Sequence, residues 1–125
     1  MDEKDKPPQL SSLTPKKRFT LVKFLIERFG IKLCEHLIVE LIQNDDYKTL
    51  RQLFSHNIIS PKEMVFNEEK GINPILHMAI FYGSNETVKE ILKHGVPLET
   101  KNTKGLTALD VAEWSKNKEI ISLLS

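Results

Sequence analysis

The last 55 residues carry one pattern twice: Leu76-His77-Met78-Ala79 returns as Leu109-Asp110-Val111-Ala112, and Val88 returns as Ile121, each after 33 residues. A period of that length marks stacked helical hairpins, each too small to bury its own apolar side, so the chain must fold by laying one unit against the next. Such a stack offers an extended surface for gripping another macromolecule and builds a catalytic pocket much less often.

The 125 residues fit one compact domain. With 18 basic and 17 acidic side chains there is no long-range field to draw the molecule onto nucleic acid or membrane, so both are disfavoured as partners. The lone Cys34 excludes an internal disulfide framework and a cysteine metal knuckle. Neither a signal-peptide core nor a run long enough to span a membrane is present, which predicts a soluble, intracellular, cytoplasmic protein, with nuclear placement or delivery into a host cell left open. Asn85-Glu86-Thr87 has the form of a glycosylation triplet but reads better as a turn and helix start.

Residues 1–13 are charged, then Pro- and Ser-rich, and predict a disordered tail. Thr14 and Pro15 then form a helix start, Phe19, Val22, Leu25, Ile26 and Phe29 make an apolar stripe, and Gly30 stops it. A second stripe, Ile31, Cys34, Leu37, Ile38, Leu41 and Ile42, turns Cys34 toward a core. Asn44-Asp45-Asp46 is a turn able to cap a further helix containing Leu50, Leu53 and Phe54. Between Ile58 and Glu69 periodicity fails and Ser60-Pro61 bars helix, predicting an extended connector or loop.

Gly105-Leu106-Thr107-Ala108-Leu109-Asp110-Val111-Ala112 closely resembles the ankyrin repeat, with its glycine turn, TPLH-type helix start and paired small residues. Pro74-Ile75-Leu76-His77-Met78-Ala79 resembles it too, but lacks the threonine, and Gly71 stands one residue too early for the 33 period. Gap-free alignment sets Ile38 under Leu76, Leu41 under Ala79, Asp45 under Gly83, Leu50 under Val88 and His56 under His94, with five extra residues falling in the connector. The resemblance implies an all-α, ankyrin-type stack of helical hairpins: an N-terminal helical cap over 14–36, a divergent repeat with a long connector over 37–70, and two repeats over 71–125, the last truncated. It also implies that Thr107 caps its helix and that His56, His77 and His94 serve structure. The last helix stops about a turn early at Ser125, so Leu123 and Leu124 either close the stack or are covered by another chain, self-association included.

In ankyrin-like stacks partners are held by the finger tips and by positions at the end of each first helix. The resemblance places these at Phe81, Tyr82, Trp114, Ser115, Gln43 and Asn44, with Asn73, Thr103, Lys104 and Leu106 at the fingers. Three of the first six are aromatic, the residue class that dominates binding hot spots. Lys16, Lys17 and Arg18 form a basic patch that predicts, as an alternative, recruitment to nucleic acid or an anionic membrane. Cys34 and His36 are the nearest nucleophile and base, but helical geometry sets them on different faces. With no phosphate loop, paired metal ligands or nucleophile elbow, the expectation is a non-catalytic protein-binding adaptor, regulator or inhibitor with no cofactor, no metal and no catalytic residue.

Overall fold

The computed structural model describes residues 10–68 and 71–125. Among these, α1 (Pro15–Phe29), α3 (Tyr47–Ser55), α5 (Asn85–Leu92) and α7 (Lys118–Leu124) stack in one row. A second row contains α2 (Glu35–Gln43), α4 (Ile75–Phe81) and α6 (Ala108–Trp114). One continuous apolar core joins the rows, from Val22 and Ile26 through Ile38, Leu50, Ile80 and Ile91 to Ile120. Each of these side chains, fully buried, is worth about 1.5–3 kcal/mol, so the stack is held chiefly between units.

The start of α1 follows its sequence signals: the Thr14 hydroxyl accepts from the Lys17 N–H at 3.2 Å, Pro15 stands at the first position, and Gly30 closes the helix at φ +86°. α1 stacks on α3 as α3 stacks on α5, so it takes an outer-row place, and among the described residues no inner helix precedes it. Residues Ile31 to Cys34 form a turn, and α2 starts only at Glu35.

The disordered tail expected over 1–13 is corrected at its end. Leu10–Ser12 wind into a turn of 3-10 helix, Leu10 is buried and Leu13 rests on the core. Two leucines three residues apart reach the same apolar surface, and the Arg18 guanidinium donates to the carbonyls of Leu10 at 3.4 Å and Leu13 at 2.6 Å. Residues 1–9 lie outside the described part.

The connector is extended, as its composition predicts, but it is also paired. Ser60 to Glu63 form a turn, and β1 (Val65–Glu68) runs antiparallel to β2 (Gly71–Pro74), with Phe66 opposite Asn73 and Asn67 opposite Ile72. This hairpin is the first finger and a minor addition to a helical fold. Gly71, out of step with the 33-residue period, has φ +132°, and a Cβ there would lie 2.8 Å from the Thr103 Cβ. The glycine lets the second finger close onto the first.

The register between repeats recurs in the backbone. Asp45, Gly83 and Lys116 all have positive φ, 51°, 70° and 58°, at the turn joining the helices of each hairpin. Asn57 and Gly95, at 57° and 68°, repeat the relation after the second helix. Asp45 also reaches across to the next unit, where its carboxylate accepts from the N–H groups of Thr87 at 2.8 Å and Glu86 at 3.4 Å. It thereby caps α5, whose own Ser84 spends its hydroxyl on the Ile42 carbonyl. Asn85 bonds Glu119 and Asn117, and Thr87 is buried, so the glycosylation-like triplet is a helix start.

Buried Ala79 and Ala112 let α4 and α6 lie closer together than α2 and α4, where Leu41 stands in place of alanine. α6 opens with a reciprocal box: the Asp110 N–H donates to the Thr107 hydroxyl at 3.2 Å and the Thr107 N–H to the Asp110 carboxylate at 2.9 Å. α4 has Pro74 at the same place, with neither N–H nor hydroxyl to offer. His77, at the position of Asp110, accordingly keeps a buried Nδ1 with no hydrogen-bond partner.

Arg18→Ala should lower unfolding free energy by about 2–3 kcal/mol, because it strips four polar groups of one guanidinium, whereas Lys16→Ala and Lys17→Ala should each change it by less than about 0.5 kcal/mol. Pro74→Thr, which restores the box for His77, should raise it by about 0.5–1 kcal/mol. Denaturant titration of the variants checks both.

Candidate functional site

Finger residues Gly71 to Asn73 and Asn102 to Leu106 overhang α4 and α6, enclosing an open groove of about 460 Å³. Its floor comes from the helices: Met78 and Phe81 of α4, Val111 and Trp114 of α6. The Phe81 and Trp114 rings lie nearly parallel, 7° apart with centroids 6.1 Å apart, in an offset stack. They are nonetheless 56% and 71% exposed, which is unusual for large apolar rings within a fold.

The overhang is fixed by hydrogen bonds between repeats. His77 Nε2 donates to the Leu106 carbonyl at 2.8 Å, the Ile72 N–H donates to the Thr103 hydroxyl at 2.7 Å, and the Thr103 N–H donates to the Ile72 carbonyl at 3.2 Å. Asn102 Nδ2 donates to Asn73 Oδ1 at 3.0 Å, while Asn102 Oδ1 accepts from the N–H groups of Lys104 and Leu106. Burial pushes the His77 imidazole below its usual range, opposed by its bond to the Leu106 carbonyl and by the Asp110 carboxylate. Nε2–H donates to the carbonyl in either charge state, so it is burial that disfavours the charged ring.

Six of the residues singled out in the sequence meet in this groove: Phe81, Trp114, Asn73, Thr103, Lys104 and Leu106. Four do not line it. Tyr82 sets its ring edge-on against Phe81 at 5.3 Å and packs on the core, and the Ser115 hydroxyl is buried. Gln43 and Asn44 are exposed on the first repeat, where Asn44 borders a separate cleft with Asp45, Asp46 and Arg18. Ile72, Met78 and Val111 were missed. The last two could have been found, since they are 33 residues apart and each stands three positions before an aromatic already chosen.

The basic patch is also corrected. Lys16 and Lys17 are exposed, but Arg18 pairs with Asp46 at 2.6 Å and also bonds the Thr49 hydroxyl, both carboxylate and guanidinium being nearly buried. Cys34 sits in the core, where burial pushes its thiol above the usual range and disfavours the thiolate, while His36 points to solvent, so the two form no catalytic pair.

The family model described as ankyrin repeats in three copies matches residues 16–125. The chain belongs to the ankyrin-repeat family. Palmitoyltransferase ZDHHC13 of Homo sapiens and that of Pongo abelii are each 32% identical over 87 residues, 62% of this chain and 14% of theirs. Alpha-latrotoxin-Lh1a of Latrodectus hasselti is 35% identical over 49 residues, 39% of this chain and 4% of the toxin. The ankyrin chain thus spans a small fraction of the length of these relatives, and the palmitoyltransferase match falls in its ankyrin region. No solved structure matches it. Ankyrin repeats are generally protein-interaction modules and typically non-catalytic.

His77 sets a pH dependence for the ankyrin stack. Its folded pKa lies below the unfolded value of about 6.5, so between the two the unfolded chain holds the extra proton; stability is complete above that value and falls as pH drops through it. The urea midpoint should therefore decline as the pH falls below about 7, and decline less in His77→Gln, whose amide keeps the Leu106 bond without titrating.

Proposed function

We propose that this ankyrin stack is a non-catalytic adaptor, regulator or inhibitor that holds a segment of a partner protein in the groove between the fingers and helices α4 and α6. The observation that carries this reading is the exposed Phe81–Trp114 stack, formed from equivalent positions of successive repeats and set on the groove floor. Rings recruited for folding would be covered. Rings already ordered against each other lose little entropy when a partner covers them, which suits a binding hot spot. The general role of ankyrin repeats as protein-interaction modules supports the same reading.

The alternative, a scaffold recruited to nucleic acid or an anionic membrane through its basic start, has less support. Arg18 is committed to Asp46, which leaves Lys16 and Lys17 as the exposed cations of that patch. Two phosphate contacts give only weak, salt-sensitive affinity.

The half-buried position of Tyr82 identifies Phe81→Ala with Trp114→Ala as the informative pair. This double variant should keep its melting temperature within a few degrees and weaken peptides selected against the wild-type chain by about 30-fold, the equivalent of about 2 kcal/mol. Selected ligands that bind both proteins equally would sink the groove reading.

A further inference from the structure

The groove has an unbalanced hydrogen-bonding rim. Its side-chain acceptors and the Leu106 carbonyl are engaged within the fold: Asn102 Oδ1 takes two N–H groups, Asn73 Oδ1 takes the Asn102 amide, the Thr103 hydroxyl takes the Ile72 N–H, and the Leu106 carbonyl takes both the Asn102 N–H and His77. His77 Nδ1 is a buried acceptor, but Pro74 accounts for it. The donors are not spent. Among the described residues, Asn73 Nδ2 and the Lys104 ammonium have no partner within the chain, and no aspartate or glutamate lines the groove. A ligand that fits this rim brings acceptors and negative charge.

Resting on the groove as the binding site, we propose that its partner is an acidic peptide segment: an aspartate or glutamate carboxylate seated against Lys104 and the Asn73 amide, with a neighbouring aromatic or apolar side chain laid on Phe81 and Trp114. One ammonium and one amide match the single charge of a carboxylate. A phosphate group, with nearly twice that charge, is ordinarily met by clustered arginines, and the groove contains none. A nucleic-acid strand could also stack its bases on the two rings, but one cation supplies too few phosphate contacts to hold it. The apolar floor gives area and the cationic rim fixes direction, so a peptide of reversed sequence or reversed charge fits poorly.

The test uses a displayed library of random peptides panned on the full chain, with the Phe81→Ala/Trp114→Ala protein as counter-selection. Enriched peptides should carry an acid within a few positions of an aromatic or large apolar residue. Changing that acid to its amide, or Lys104 to Glu, should weaken binding about fivefold, and a lysine-bearing version of the same peptide should regain affinity for Lys104→Glu. Enriched peptides with no excess of acid, or a charge-swapped pair no better than either mismatch, would overturn the inference while leaving the groove reading intact. Failure of the counter-selection to discriminate would overturn both. A mixed-sequence single-stranded oligonucleotide serves as competitor, and Lys104-dependent displacement of the peptides by it would replace the acidic peptide with nucleic acid.

Discussion

No helical hairpin in this chain can cover its own apolar side, so every unit depends on the next. That dependence is reinforced at each junction of the outer row by one charged pair. Arg18 meets Asp46 where α1 adjoins α3, Arg51 meets Glu90 at 2.7 Å between α3 and α5, and Lys89 meets Glu119 at 2.7 Å between α5 and α7. The pairs grow more exposed along the row, and their expected worth falls with exposure, since water and salt screen the later ones. Lys89 and Glu119 do hold each other's charge, Lys89 raised and Glu119 lowered chiefly by their mutual hydrogen bond. The nearly buried Arg18–Asp46 contact ties the first helix to the remainder.

The same logic of one unit completing another produces the groove. His77 belongs to one repeat and the Leu106 carbonyl to the next; Gly71 belongs to one finger and the Thr103 side chain it admits to the other. The cleft is a junction property, assembled from two copies of a motif that alone would present neither wall nor floor. Its polar rim is ordered before any partner arrives, so binding there orders little new structure.

Much of this was legible in the residues because it is local or periodic. Thr14, Thr107 and Asp46 cap the helices their positions suggest, and the alignment of Asp45 with Gly83 reappears as a shared positive φ. The aromatic pair followed from the 33-residue register together with the resemblance to ankyrin repeats. What the sequence hid is non-local. Arg18 reads as part of a cationic run until Asp46, 28 positions on, is placed beside it, and Leu10 and Leu13 read as tail until a surface for them exists. The β1–β2 pairing was hidden for a similar reason, since a four-residue strand with Asn and Glu carries little alternation. Tyr82 and Ser115 share a row with groove residues but turn inward, because neighbouring positions on a helix face different ways.

Trp114 is the single tryptophan of the chain, and it is mostly in water while the protein is folded. Its fluorescence therefore reports little about whether the core is intact, the indole being hydrated before and after unfolding. It reports instead on the floor of the groove. Whatever lies down on the stack strips water from this one fluorophore and shifts its emission toward the blue, so the molecule contains its own optical gauge of occupancy.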